Sequence, residues 1–234
     1  MKWIFCIPLF FILNCFAQDV NKLNKAGEKQ GSWTGYYENS YNKRYQGYFD
    51  NGKPTGRFTY YALEGHINSI VDFINDSISD VQMFHDNGTI MAEGKYLNKL
   101  KTGKWFIYSR NDYLLNIFTY HKGALEGTQY TYHPKFDDYE KLKVMEQYEC
   151  KGGLKHGLWK EFNKLGRVKS EGYFVDGAKE GVFTYYFANG SIEMKGPFEK
   201  DVKNGDWFFY NGETSNMDKL TYVNGEVYEP KDDK

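Results

Sequence analysis

Gly157-Leu158-Trp159-Lys160-Glu161-Phe162-Asn163-Lys164-Leu165-Gly166 and, 24 residues later, Gly181-Val182-Phe183-Thr184-Tyr185-Tyr186-Phe187-Ala188-Asn189-Gly190 are one pattern written twice. Each copy opens on a glycine, places a large ring two residues on and a second ring five residues on, and closes on a glycine nine residues on. The same opening recurs as Gly31-Ser32-Trp33, Gly56-Arg57-Phe58, Gly103-Lys104-Trp105 and Gly205-Asp206-Trp207, with weaker units anchored at Ser79 and Gly127. The anchors are then separated by 25, 23, 24, 24, 30, 24 and 24 residues. A period of this size marks a repeat architecture, in which each unit is one supersecondary element that buries its apolar face only against its neighbours. Five residues after every anchor stands an aromatic: Tyr36, Tyr61, Phe84, Tyr108, Tyr132, Phe162, Tyr186 and Tyr210. Aromatics make up 19% of the chain, so chance does not place one at all eight positions.

Four residues before the anchors come Gly27, Gly52, Asn75, Lys99, Gly123, Gly153, Gly177 and Asp201, mostly residues that tolerate a left-handed backbone. With Asn51-Gly52, Asp176-Gly177 and Asn224-Gly225 they read as hairpin turns, and Asn87-Gly88, Leu165-Gly166 and Asn189-Gly190 supply a second set. Two turns per unit with short runs between them predict one β-hairpin per unit. The expected fold is all-β, an elongated single-layer antiparallel β-meander of about eight hairpin repeats over residues 27–225, with about sixteen strands.

Seven residues before an anchor lie Phe49, Tyr96, Tyr120, Phe174 and Phe198, and nine before lie Gly47, Gly94, Gly172 and Gly196. Equal parity puts both slots on one face, where the glycines let a neighbouring ring lie on bare backbone. The lone cysteine of the repeat region, Cys150, falls in the same ring phase and reads as a small buried residue of that face. The rings two and five residues after the anchor are an odd number apart, so either a bulge intervenes or both faces carry rings.

The series Gly-x-Trp-x-x-Tyr-x-x-x-Gly followed by Glu-Gly-x-Phe, clearest from Gly157 through Gly181, resembles the MORN repeat in its bacterial variant form. The units at Ser79 and Gly127 depart from it, with Val81 and Gln129 in place of the large ring. The resemblance implies an elongated single-sheet repeat protein. Many bacterial chains of this kind carry an antitoxin label, as partners of a toxin, while MORN repeats elsewhere accompany membrane association and scaffolding.

Composition narrows the classes further. The 234 residues are 41% hydrophobic and 26% charged with a formal net charge of −1, which excludes a disordered polyelectrolyte and removes the basic footprint of a nucleic-acid binder. Met1-Lys2 followed by the uncharged run Trp3 to Phe16 reads as a signal peptide over residues 1–17, cleaved after Ala17 and implying export to the periplasm, outer surface or exterior, with an uncleaved N-terminal anchor or a lipid on Cys15 as the alternatives. Residues 18–26 then read as an N-terminal linker and 226–234 as a charged C-terminal tail. The 30-residue step between Gly127 and Gly157 places an extended hairpin around His133-Pro134-Lys135-Phe136-Asp137-Asp138.

Chemistry-bearing motifs are missing from the sequence. His66, His85, His121, His133 and His156 are scattered without metal-ligand spacing, and there is no nucleophile elbow, phosphate loop or dinucleotide fingerprint. Lys53, Lys104, Lys160 and Lys179 read as solvated positions that keep the sheet soluble. The resulting expectation is a non-enzymatic, exported interaction or scaffolding module that binds neither cofactor nor metal. Its expected contact row is Tyr36, Tyr61, Tyr108, Tyr132, Phe162, Tyr186 and Tyr210, and its expected partner is a protein. The alternatives are a membrane- or glycan-associated envelope protein and an antitoxin-like partner of a toxin.

Overall fold

The computed structural model describes residues 20–134, 142–212 and 216–229. The signal-peptide reading therefore lies outside the described residues, as does most of the extended hairpin, from Lys135 onward. In chain order the strands are β1 (Lys22–Leu23), β2 (Lys29–Tyr36), β3 (Lys43–Asp50), β4 (Lys53–Tyr61), β5 (Ile67–Phe73), β6 (Ile78–Phe84), β7 (Ile90–Leu97), β8 (Leu100–Tyr108), β9 (Leu114–His121) and β10 (Ala124–Leu125). They continue as β11 (Gly127–Tyr132), β12 (Val144–Lys151), β13 (Leu154–Phe162), β14 (Val168–Val175), β15 (Ala178–Tyr186), β16 (Ile192–Glu199), β17 (Val202–Lys203), β18 (Gly205–Tyr210), β19 (Met217–Val223) and β20 (Glu226–Val227).

All pairings are antiparallel and follow chain order, so the strands form one open meander. Among the described residues there is no helix. β10 with β11, and β17 with β18, are each one line interrupted at Glu126 and Asn204, which leaves sixteen strands in a row between the two-residue stubs β1 and β20. At about 4.8 Å per strand the row extends on the order of 75 Å. The sheet reaches beyond residues 27–225 at both ends, since β1 pairs with β2 and β20 with β19.

The tight turns are built as the turn residues require. Both central residues have positive φ at Asn51-Gly52 (46° and 78°) and Asp176-Gly177 (48° and 91°), the signature of a type I′ hairpin whose twist matches the strands. Each such turn is also fastened to the preceding unit. The amides of Gly52, Gly123, Gly177 and Gly225 donate to the carbonyls of Lys29, Lys101, Lys155 and Lys203 at 2.8–3.0 Å.

The anchor glycines serve another purpose. Tyr48 pairs with Thr55 and Gln46 with Thr59, so three residues of β4, Gly56 to Phe58, stand opposite Gly47 alone. Gly56, at φ 62°, turns the backbone out and brings Phe58 over the glycine of the neighbouring strand. β7–β8 and β14–β15 repeat the arrangement, with Trp105 over Gly94 and Phe183 over Gly172, and Trp207 lies on Gly196 in the same way. A Cβ built on these four glycines would fall 2.3–2.5 Å from the ring above it, so the chain has room there for a hydrogen and nothing larger.

These rings are the core. Phe58, Trp105, Phe183 and Trp207 are the largest fully buried side chains of a sheet with no second layer to cover it. They stay dry because the rings seven before each anchor stand edge-on between them. Phe174, Phe183, Phe198 and Trp207 follow one another at 5.7, 5.1 and 5.1 Å with interplanar angles of 76°, 80° and 88°. Rings that each bury roughly 150–250 Å² in edge-to-face contact supply a hydrophobic core within a single layer. Cys150 lies buried in this phase, and burial pushes its thiol up, which keeps it protonated and unreactive.

Candidate functional site

The two faces of the sheet do different work. Phe58 and Tyr60 stack on one face at 6.1 Å. Thr59 and Tyr61 lie on the other, where the Tyr61 hydroxyl donates to Gln46 Oε1 at 2.9 Å and Gln46 is the strand partner of Thr59. Both faces therefore carry rings, and the odd spacing is resolved. A bulge is present as well, but on the returning strand: Gly35 pairs with Tyr45 and Tyr36 with Lys43, leaving Arg44 over. The shift recurs beside Tyr61, Phe84, Tyr108, Tyr132, Phe162 and Tyr186.

The row Tyr36, Tyr61, Tyr108, Tyr132, Phe162, Tyr186 and Tyr210 thus runs along the face opposite the packed rings. Its members are partly tied down. Tyr108 donates to Glu93 at 2.9 Å and Tyr186 to Glu171 at 2.6 Å, repeating the bond of Tyr61 to Gln46, while Tyr132 stacks with Tyr130 at 6.5 Å. Burial, then the bond to Glu93, pushes the Tyr108 phenol up to about 12; the bond to Glu171, then burial, does the same for Tyr186. Glu171 is held below the usual carboxylate range by Lys160 and then by Tyr186. Tyr36, near the first edge of the sheet, is about half exposed.

Around this row the face is a lattice of cross-strand ion pairs: Arg57–Asp72, Lys95–Asp80, Lys160–Glu171 and Lys219–Asp206, each at 2.7–2.8 Å. Exposed pairs of this kind add little stability singly, about 0–1 kcal/mol, but they fix the strand register and keep the face soluble. Lys160 is consequently a paired residue and not a freely solvated one.

The packed-ring face carries a row that sequence reading passed over. Two residues before their anchors, Lys29, Lys101, Lys155, Lys179 and Lys203 fold back over the rings. Lys101 Nζ lies 4.4 Å from the Trp105 ring and 5.0 Å from Tyr120, and Lys203 Nζ lies 4.1 Å from Trp207 and 4.8 Å from Tyr222. The lysine stems cover the ring edges while the ammonium groups take the negative ring faces. Lys179, read from sequence as a solvated residue, sits 4.9 Å from the Phe198 ring. The recurrence of lysine at this position was visible in the sequence; that it points at rings and not into water was not.

The histidines also have structural places. His85 Nε2 lies 3.1 Å from the Tyr108 carbonyl and His133 Nε2 lies 3.0 Å from that of Phe162; the Tyr37 hydroxyl donates to the Tyr61 carbonyl at 2.7 Å. Each of the three stands six residues after an anchor and clips its unit to the next. Among the described residues no three His, Cys, Asp or Glu side chains gather as a metal site would require.

The two degenerate units differ in kind. Gln129, fully buried where a ring belongs, uses its amide as a substitute strand: its Oε1 accepts from the Thr119 amide at 2.7 Å and its Nε2 donates to the Gly127 carbonyl at 2.9 Å. At Ser79 the motif is lost together with its geometry. β5 and β6 pair without a register shift, Val71 faces Val81, and the turn Ile74–Ser77 is closed by Asn75 Oδ1, which accepts from the amides of Ser77 and Ile78 at 2.9 Å.

Two stretches, residues 155–176 and 179–200, match the family model for the MORN repeat variant. Residues 155–200 hold two MORN-variant repeats. No curated protein matches the chain. In the two matched stretches these slots are all filled: the lysines Lys155 and Lys179, the rings Trp159 and Phe183, and the glycines Gly172 and Gly196. The strand pairing, the bulges and the ring-on-glycine contacts repeat the same geometry at β4 and β8, outside the matched residues.

Proposed function

We propose that this MORN-variant chain is an exported, non-enzymatic interaction module whose contact surface is the face bearing the Tyr36 to Tyr210 row. The observation that carries the reading is the repetition itself: one open face presents a ring beside a hydrogen-bonded polar partner unit after unit, as at Tyr61, Tyr108 and Tyr186. A surface made of repeated groups binds by summing many similar contacts, the mode in which repeat proteins recognise extended partners. MORN repeats are typically protein- or membrane-interaction modules, which supports the same class. Export rests on the sequence of residues 1–17 and is tested by the mass of the mature chain, expected to begin at Gln18.

The test of the contact surface is recovery of partners from an envelope extract by the wild-type chain and by variants in which Tyr36, Tyr61 and Tyr108 are replaced by Ala one after another. A defined protein whose recovery fades stepwise with each replacement supports the proposal. Recovery of lipid or glycan alone favours the envelope-binding alternative. Turnover of an envelope substrate that vanishes with one point change overturns the non-enzymatic reading.

A further inference from the structure

The repeat lattice has one vacancy. In the regular units a ring stands between consecutive edge-on rings, as Phe58 does between Phe49 and Phe73 at 5.1 and 5.3 Å, and Trp105 between Tyr96 and Tyr120 at 5.2 and 6.3 Å. Between Phe73 and Tyr96 the sequence supplies Val81 instead of a ring. It also supplies Ser77 instead of the lysine that would lie over it, and the preceding unit has Pro54 at that lysine position. Ring and cation are missing from the same place, and a cleft of about 610 Å³ opens there, lined by Phe73, Tyr96, Pro54 and Ser79.

Strand pairing fixes the dimensions. Phe73 is the partner of Ser79 and Ser79 the partner of Tyr96, so the two rings flank Ser79 across two strand spacings, about 9.6 Å. That separation seats one further ring with its centroid about 5 Å from each wall, the edge-to-face distance at which aromatic pairs are favourable. The charge of the rim then selects the ring's substituent. Lys53 is paired with Asp76, whereas Lys99, exposed at the mouth on the turn after β7, adds a positive charge of its own. A cationic ligand in the lysine's usual seat would face that ammonium; an anionic one would be drawn to it.

We propose that the cleft between Phe73 and Tyr96 binds a small aromatic carboxylate. Its ring continues the ring stack through the vacancy and its carboxylate meets Lys99. The site belongs to the packed-ring face and is independent of the tyrosine row on the opposite side.

The experiment is an amide chemical-shift titration of the isotope-labelled chain with phenylacetate, 2-phenylethanol and 2-phenylethylamine, three ligands of one shape and three charges. Phenylacetate is expected to shift the amides of residues 73–79 and 96–99 saturably and to bind about tenfold more tightly than the amine, the ratio that a difference of 1.4 kcal/mol produces. Lys99→Gln, an exposed substitution, is expected to lower phenylacetate affinity about fivefold and to leave 2-phenylethanol unchanged. Ser79→Leu, which fills the floor of the cleft, is expected to abolish binding of both, with the thermal midpoint read alongside. The proposal is overturned if the amine binds as tightly as phenylacetate, if Lys99→Gln leaves phenylacetate affinity intact, or if phenylacetate shifts no amide in these two segments.

Discussion

Replacing Gly196 by Ala adds a single methyl group to the most completely buried part of the sheet. The backbone there has no positive φ, so alanine meets no conformational obstacle, and the loss of unfolded-chain freedom would by itself stabilise the protein by about 0.4–1 kcal/mol. The obstacle is the indole of Trp207. The new Cβ would lie 2.3, 2.4 and 2.6 Å from Trp207 Cδ2, Cγ and Cδ1, so the ring must withdraw by roughly 1 Å to reach van der Waals distance. It has nowhere to go, with Phe198 edge-on at 5.1 Å, Tyr222 at 6.2 Å and the Lys203 ammonium at 4.1 Å. Strained accommodation costs about 1–3 kcal/mol. Ejecting the indole instead forfeits roughly 150–250 Å² of burial, about 4–6 kcal/mol at 25 cal/mol/Å². The cheaper route, accommodation, sets the cost; with the ring boxed in it falls at the upper end, so after the unfolded-state gain the expected net destabilisation is about 2–3 kcal/mol, read from chemical denaturation. A double-mutant cycle with Trp207→Val isolates the cause, because the smaller side chain removes the clash: Gly196→Ala should cost less than about 0.5 kcal/mol in that background. Equal costs in both backgrounds, or a neutral single mutant, would refute the ring-on-glycine account.

Gln129→Leu keeps the volume but strips the bonds to Thr119 and Gly127, and is expected to destabilise by about 2–4 kcal/mol, more than a fully exposed Gln→Leu change; a wild-type denaturation midpoint would contradict this. For Tyr108 and Tyr186 the folded state retains a proton that the unfolded chain releases near 10, so their contribution is whole below pH 10 and is lost as pH rises to about 12. Absorbance titration should show phenols ionising near 12, and Tyr186→Phe should flatten the fall of the thermal midpoint over that range; ionisation of every phenol near 10 would rule the coupling out. Tyr186→Ala with Tyr210→Ala should weaken hydrogen-exchange protection in β15 to β19 and leave β2 to β8 protected, since repeat units are stabilised by nearest neighbours; uniform loss would indicate one cooperative block.

The architecture was legible because its determinants are local and periodic. Asn51-Gly52 and Asp176-Gly177 specify turns by their own backbone preferences, and the spacing of Gly47 from Phe49 reveals a shared face by parity alone. What escaped was whatever depends on the partner across the strand. Nothing in the order Lys101-Thr102-Gly103 says that the ammonium turns onto Trp105, because the bulge at Gly103 that aims it becomes visible only once β7 and β8 are paired. Gln129 looked like a defect of the motif for the same reason: its amide oxygen finds its partner in Thr119, ten residues away on the neighbouring strand. At Ser79 the missing ring could be read from the sequence, but the cleft it leaves could not, since the opening depends on which rings flank the gap.

The fastening of each tight turn to the strand start one unit earlier has a mechanical consequence. β1 and β20 are at opposite ends of the row, so tension applied through the two termini loads the hydrogen bonds of the ladder one pair at a time, as in a zipper, and not all together in shear. The bonds from Gly52 to Lys29 and from Gly177 to Lys155 lie across that path and act as catches that must release before the next hairpin can open. Under load the chain would lengthen in increments of one unit, about 80 Å of extended backbone for 24 residues, at low force and with each remaining unit intact. Such an object is a ratcheted tether, giving way by counted steps where a globular core of the same size would fail at once.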